Sequence, residues 1–556
     1  MKKIIRFFFA LAAMMISGSA FAQISHGGSP LFNHAMDKAV TTRIDLDEIN
    51  NDLLLREDES RTKGSGPMRV GVMQDVAIDV VADGKVVKDA QGTHFLLSVN
   101  SPGASFVSLH FSDFQLSEGS TVFFYDQSGD VVLGSFLPED VMDDGTFYTQ
   151  SIPGSTIYIE YFVPAGQEPG RLVVDQLCHG YRDIFGYVSN MYDAEVEAMK
   201  GQLGYADGDC HINVVCSAGD DWRNQIRSVV ALEIRSNVGS FMCSGAVINN
   251  TRQDRTPYVL SAYHCQDPDE IGTLRQIVTY FLYESRYCES NAGGSISKSI
   301  TGATIKSKLS YQSGSDFLLL QLNSNIPDSY TPYYAGWDRT AGGGTSAGAC
   351  IHHPGGDYKK ISFPLRVTNG TGYYSKFLIV NWYTGNQNRG VTEQGSSGSP
   401  LFNAQKRIVG QLFAGTSSCD STGGIDLYGR FYSSWTGNNT NTGRLSAWLD
   451  PDGTNVSSLD GLDYQDVAID NVDLAKPQSL KVFPNPSKGM VYFDVDALGD
   501  ANYKVFDLNG RCVAEGRTVL TATSQAVNLG SLPEGSYVMH LYTSSRSYSA
   551  TVVIAR

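Results

Sequence analysis

The chain has 556 residues, of which 42% are hydrophobic and 18% charged: enough apolar content for packed cores, and too much for wholesale disorder. At roughly 150 residues per domain the length predicts three or four domains, and 57 glycines with 11% aromatics point to turn-rich β structure rather than helical bundles. Fifty-eight acidic against 42 basic side chains give a net charge of −16, which argues against nucleic-acid binding and favours solubility.

The first element in chain order is an export signal. Lys2, Lys3 and Arg6 precede an apolar run from Phe7 to Ile16, and small residues follow up to Ala20-Phe21-Ala22. The run is too short to span a bilayer and ends at an A-x-A site, so cleavage is expected between Ala22 and Gln23. Later stretches fall short of the ~18 apolar residues a spanning helix needs, so the mature protein is expected to be soluble or surface-attached.

Residues 23–200 read as a β-rich leader, a propeptide or accessory domain, with no catalytic or metal spacing. Strands are expected at Val70–Met73, Val76–Val81 and Ile157–Val163, and a hairpin joins Val122–Tyr125 to Val131–Leu133 through Asp126–Asp130. The leader ends in a short exposed helix, Asp193–Lys200. Residues 201–463 hold many short strands separated by Gly, Asn and Ser, with one late helix at Thr442–Asp450, a barrel or sandwich pattern. An acidic linker, 464–475, leads to a small β unit at 476–556, in which Asn509-Gly510 marks a hairpin turn. The fold class is therefore all-β.

Nine cysteines in an exported chain suggest disulfides. Seven of them lie between Cys210 and Cys419, with Cys178 and Cys512 outside, so the central domain is the stapled one.

Three segments of that domain belong together. Cys243-Ser-Gly-Ala-Val-Ile precedes Leu260-Ser-Ala-Tyr-His264-Cys265, then comes Ser315-Asp316-Phe-Leu-Leu-Leu, then Gly395-Ser-Ser397-Gly398-Ser-Pro400. They supply His, Asp and Ser in the chain order of chymotrypsin-like proteases. A serine hydroxyl needs a neighbouring imidazole to take its proton, and the imidazole needs a buried carboxylate to fix its tautomer. The glycines around Ser397 allow a tight turn that leaves the amides of Gly395 and Ser397 available to an oxyanion. Each piece alone reads as an ordinary histidine, a turn aspartate or a flexible loop. Their order and the cysteines flanking His264 are what single them out.

Beyond the triad, the region 201–463 resembles the lysyl endopeptidase family of chymotrypsin-like serine proteases. The matching stretches include Cys210-His-Ile-Asn-Val-Val-Cys216, Tyr334-Ala-Gly-Trp-Asp-Arg339, Ile351-His-His-Pro354, Gly390-Val-Thr-Glu-Gln-Gly-Ser-Ser-Gly-Ser-Pro400 and Ser446-Ala-Trp-Leu-Asp-Pro451. The resemblance implies a double β-barrel with the active site between the barrels, no cofactor and no metal. It also implies the disulfides Cys210–Cys419, Cys216–Cys288 and Cys243–Cys265, leaving Cys350 as a small buried residue. Adjacent His352 and His353 on a strand would face opposite ways, which argues against a shared metal.

The resemblance bears on specificity too. Val391 stands six residues before Ser397, where trypsin-like enzymes carry a carboxylate. Alignment on Gly415, Cys419 and Tyr428 puts Asp426 on the opposite wall of the primary pocket, where the family uses an aspartate to hold a substrate lysine. Trp382 matches a tryptophan that the family stacks beside the catalytic histidine, Phe413 stands where the family has a histidine, and the loop from Cys419 to Asp426 is shorter. The implied activity is a secreted serine endopeptidase cutting after lysine, with protein and peptide substrates. The alternatives are the same fold with another cleavage preference and an inactive surface-binding protein.

The tail, through Phe483-Pro-Asn-Pro486, Val505-Phe-Asp-Leu-Asn-Gly510 and Leu532-Pro-Glu-Gly-Ser-Tyr537, resembles the C-terminal sorting domain of the type IX secretion system, a small β-sandwich. It implies contact with that machinery and a secreted or cell-surface protein of a Gram-negative bacterium, expected to be a monomer. Two further expectations concern activation. Ser396, where trypsin-like zymogens have an aspartate, offers no charge to a new amino terminus, and Lys200-Gly201 is an exposed bond that a lysine-specific enzyme would cut itself.

Overall fold

The computed structural model describes residues 27–32, 41–59, 66–141, 144–184, 210–236, 238–266, 276–288, 294–346, 348–382, 390–419, 424–465, 478–495, 499–507, 512–520, 525–542 and 547–555. The Ala22-Gln23 and Lys200-Gly201 bonds, the Asp193–Lys200 helix, Asn509-Gly510 and most of the linker lie outside the described residues.

The central region folds as two closed barrels. In the first, Val229–Ser236 pairs with Gly239–Val247 and with Ile277–Tyr280. Gly239–Val247 continues to Tyr258–Ala262, and that strand to Phe317–Leu322. The ring closes through Ala303–Leu309 on Phe317–Leu322 and Ser299–Thr301 on Ile277–Tyr280, two halves of one strand broken at Gly302. The second barrel closes the same way. Lys360–Ser362 and Pro364–Asn369, separated by Phe363, pair with Ala349–His352 and Phe377–Trp382 respectively. Pro400–Phe402, Ile408–Gly415 and Ile425–Arg430 complete that ring. Most of these strands are buried on both faces: along Phe317–Leu322, Leu318, Leu320 and Leu322 join one apolar cluster while Phe317 and Leu319 join another.

The leader does not form a separate layer. Its sandwich core gathers Phe111, Phe114, Phe124, Phe136 and Phe147. Its strand Met68–Asp79, however, pairs with Gly239–Val247 at Ser240↔Gly71 and Met242↔Met68, so a single twelve-stranded sheet runs from leader to first barrel. Buried charge lies on the same seam. Glu233 and Arg235, both fully buried, pair at 3.0 Å, and the leader completes their hydrogen bonding. Ser151 Oγ donates to Glu233 at 2.7 Å, and the carbonyl of Thr149 accepts from Arg235. A buried ion pair is tolerable only when its remaining donors and acceptors are satisfied, so these leader contacts are part of the barrel's packing.

Some local expectations are corrected. Val80 and Val81 are not strand: Val80–Asp83 is a short helix, because the Asp79 carboxylate accepts the amides of Val81 and Ala82 and caps it. The late helix is split into a 3-10 turn, Asn441–Gly443, and Ser446–Leu449. Further helices occur at Asn51–Glu59, Arg223–Ser228 and Phe431–Thr436. The last of these is driven by packing, with Phe431 and Trp435 against the buried Trp337 at ring separations of 5.7 and 4.6 Å.

The tail is a sandwich of a five-stranded and a three-stranded sheet around Val491, Phe493, Val505, Met539, Leu541 and Val552. Disulfides join Cys210 to Cys419, Cys216 to Cys288 and Cys243 to Cys265. Cys178 and Cys350 are free and buried, and burial pushes each thiol up to about 12, so both are inert packing residues.

Candidate active site

The first barrel supplies His264 from the 3-10 turn Tyr263–Cys265, directly after the strand Tyr258–Ala262. The Cys243–Cys265 bridge ties this turn to the neighbouring strand. Asp316 directly precedes Phe317–Leu322, the strand paired with Tyr258–Ala262, and has φ +60, a left-handed conformation that aspartate tolerates better than most side chains. The bend lets its carbonyl accept from Tyr263 N–H at 2.9 Å while its carboxylate meets His264 Nδ1 at 2.6 Å. Asp316 is fully buried. Burial raises its pKa, and the His264 imidazole pulls in the opposite direction.

Ser397 comes from the second barrel. Its carbonyl accepts from Ser244 N–H at 2.8 Å, and a Cβ on the next residue, Gly398, would lie 2.8 Å from Ala262 N, so the serine loop packs against the strand leading to His264. His264 Nε2 is buried without a hydrogen-bond partner among the described residues, and the bond from Ser397 Oγ to it is not made in this structure. Such bonds tighten when substrate arrives. The amides of Gly395 and Ser397 likewise have no partner among the described residues. The imidazole thus has one nitrogen held by a carboxylate and the other bare, in a turn whose Cys265 Sγ lies 3.7 Å from the Ser397 carbonyl.

Next to this centre, Phe413 lies edge-on to His264 at 5.8 Å and stacks on Tyr311 at 5.0 Å. Trp382 is not in that stack. It is buried further along, with its indole N–H donating to Asp426 Oδ2 at 2.5 Å. Asp426 is fully buried and also accepts from Thr392 Oγ1 at 2.5 Å and from Ser417 Oγ at 2.8 Å to each oxygen. Its neighbour across the ladder is Gly415, where a Cβ would sit 1.6 Å from Asp426 Oδ1. Glycine is thus required beside this carboxylate. Thr392 and Ser417 were not singled out from the sequence. Thr392 adjoins Val391 in the loop before Ser397, and only the pairing of distant strands brings either residue to Asp426.

His353 is buried, bonded through Nδ1 to the carbonyl of Asp357 at 2.9 Å and stacked on Tyr283. Its pKa is lowered to about 3, by burial above all. Cys210, His211 and Cys419 cluster at metal-like spacing, but the two sulfurs are joined in a disulfide, which leaves no thiolate for an ion.

Comparison with known proteins meets this geometry. Residues 205–429 match the family model of the lysyl endopeptidase C-terminal domain. Residues 481–555 match the secretion system C-terminal sorting domain. A curated relative, the lysyl endopeptidase of Pseudomonas aeruginosa PAO1, is 29% identical over 304 residues, covering 50% of this chain and 59% of the relative. Among solved structures, a thermostable serine protease, AL20, from an extremophilic microorganism is 15% identical with a TM-score of 0.26, covering 37% of this chain and 92% of its own. A Glu endopeptidase is 16% identical with a TM-score of 0.27, covering 40% and 93%. Among the described residues, no helix is long and apolar enough to cross a membrane.

Proposed function

We propose that the lysyl endopeptidase-type domain is a serine endopeptidase that cleaves on the carboxyl side of lysine, made as a precursor with a leader and a sorting tail. The observation that carries the reading is the 2.6 Å bond from His264 to the buried Asp316, with Nε2 left bare beside the Ser397 loop. In this reading Ser397 Oγ attacks the scissile carbonyl and passes its proton to His264 Nε2. Asp316 holds the imidazole tautomer and stabilises the imidazolium, and the amides of Gly395 and Ser397 bind the oxyanion. His264 then gives the proton to the leaving amine, and water releases the acyl group by the reverse steps. A fluorophosphonate probe tests the chemistry: labelling is expected at Ser397, and an unlabelled mature protein would favour an inactive binding protein instead.

Preference for lysine over arginine is supported by how Asp426 is held. Trp382, Thr392 and Ser417 are neutral donors, so they orient the carboxylate without supplying a countercharge. They also occupy both of its oxygens. A compact ammonium needs one approach direction, whereas a guanidinium prefers two parallel bonds to two accessible oxygens.

The leader and tail suggest two further results. Self-cleavage at Lys200-Gly201 would give a mature chain beginning at Gly201, so Lys200→Gln, or Ser397→Ala alone, is expected to leave the leader attached. N-terminal sequencing of protein made in a protease-free host checks this, and a normal mature terminus in both variants would refute self-processing. The sorting tail supports export through the type IX machinery to the surface or medium of a Gram-negative cell. A chain ending at Gln465 keeps the Arg227–Asp463 ion pair and the pairing of Leu462–Asp463 with Tyr333–Tyr334. It is expected to fold and cleave peptides in vitro yet fail to reach the surface of its native host. Cell fractionation decides, and normal delivery without residues 476–556 would exclude the sorting role.

A further inference from the structure

An oxyanion site works only if two peptide planes are held in one orientation before substrate arrives. A trans peptide points its C=O and N–H in opposite directions, so fixing the carbonyl aims the amide. Gln394 C=O accepts from Gly355 N–H at 2.7 Å, which turns Gly395 N–H the other way. Ser396 C=O accepts from Ser399 N–H at 3.0 Å, which does the same for Ser397 N–H. Gly395 C=O accepts from Ser244 Oγ at 3.0 Å.

The side chain of Ser396 and the start of the turn are fastened by one histidine. Ser396 Oγ accepts from Glu393 N–H at 3.1 Å and lies 2.7 Å from His352 Nδ1. At the other end of the imidazole, Nε2 meets Ser362 Oγ at 2.8 Å, and Ser362 Oγ in turn donates to Val391 C=O at 3.1 Å. Ser362 Oγ spends its hydrogen on Val391, so His352 Nε2 carries a hydrogen and donates to it, and in the neutral imidazole Nδ1 then accepts from Ser396 Oγ. His352, Ser362 and Ser396 are each fully buried. Burial first, then the neighbouring His211, His353 and Lys360, holds the His352 pKa well below the usual range, which agrees with the neutral form.

We propose that His352 is a positioning residue for the oxyanion site: its imidazole, bridging Ser396 and Ser362, clamps both ends of the 391–396 turn so that the Gly395 and Ser397 amides stay aimed at one point. The clamp does with neutral hydrogen bonds what an ion pair from a new amino terminus does elsewhere, and all of its atoms belong to the two barrels, none to the leader. It rests on the serine-endopeptidase reading and deepens it.

The test compares Ser396→Ala, His352→Phe and His352→Asn with the parent, all in the full chain matured as the parent is. The probes are the parent's best peptide substrate, a peptidyl boronate of the same sequence whose tetrahedral oxygen fills the oxyanion site, and a simple alkylammonium that fills only the primary pocket. For Ser396→Ala and His352→Phe, kcat and boronate affinity are expected to fall together by about 10- to 100-fold, with KM and alkylammonium affinity within about twofold. His352→Asn, whose amide oxygen can still accept from Ser396, is expected to recover part of the loss. Should His352→Phe fail to fold, Ser396→Ala, which removes one hydroxyl, decides. Folded variants with parental kcat and boronate affinity, or with KM and alkylammonium affinity shifted instead, would overturn the proposal. A parent that neither hydrolyses peptides nor binds the boronate would remove the protease reading itself.

Discussion

Replacing Asp316 by asparagine is expected to lower kcat by about 10⁴-fold, because the amide presents a donor to His264 Nδ1 and selects the wrong tautomer. Ser397→Ala and His264→Ala should each cost at least about 10³-fold, and the double variant little more than either, since the three act as one unit. The stability effect of Asp316→Asn runs the other way. Burial raises the Asp316 pKa, so the folded chain holds that proton more tightly than the unfolded chain does. Its contribution favours folding in acid and is lost as pH rises through the raised folded value. At neutral pH the ionised carboxylate is therefore a burial cost that asparagine does not carry. The asparagine variant should melt no lower than the parent at pH 7, and its advantage should vanish below the ordinary carboxylate range. Calorimetry across pH together with single-substrate kinetics checks both halves. A variant retaining kcat within tenfold of the parent would remove Asp316 from the mechanism.

The second large effect concerns Asp426. Asp426→Asn keeps the volume and removes the charge, so kcat/KM for lysyl substrates is expected to drop by about 10²-fold, the worth of a buried charge-assisted contact. The loss for arginyl substrates should be smaller, because they start from a poorer fit to a carboxylate whose two oxygens already accept from Trp382, Thr392 and Ser417. Trp382→Phe frees one of those positions and should narrow the ratio of lysine to arginine cleavage. Peptide mapping of one denatured protein with all three enzymes reads the preference directly. Undiminished lysine cleavage by Asp426→Asn would place the pocket carboxylate elsewhere.

How far these results could be foreseen differs from residue to residue. Gly-Ser-Ser397-Gly-Ser, His264 beside Cys265, and Asp316 before an apolar run carry their chemistry locally. Tight turns need glycine, and a bridging cysteine next to the histidine fixes its loop, so a short window of sequence is enough to nominate them. Asp426 required more, since a buried aspartate on a strand looks like any polar residue until the resemblance places it opposite Val391.

What sequence alone did not determine is which distant groups complete each site. Ser417 reaches Asp426 because Ile425–Arg430 pairs with Ile408–Gly415, and Thr392 reaches it from the separate loop ahead of Ser397. Trp382 reads as a ring to be stacked near His264, yet strand pairing puts its N–H on a carboxylate and leaves Phe413, itself stacked on Tyr311, beside the imidazole. Some of the leader's strands, Val122–Tyr125 and Ile157–Val163 among them, were legible as strands, whereas Phe106–Gln115 and Arg171–Gly180 were not. That one of them extends the first barrel's sheet, and that Ser151 and Thr149 complete a buried ion pair there, was decided by the Ser240–Met242 end of a barrel strand, which Tyr258–Ala262 does not reach, and by the hydrogen-bonding needs of Glu233 and Arg235. Local chemistry is written in neighbouring residues. Hydrogen-bond partners across a barrel are fixed only when long-range pairing, which no short window encodes, brings the strands together.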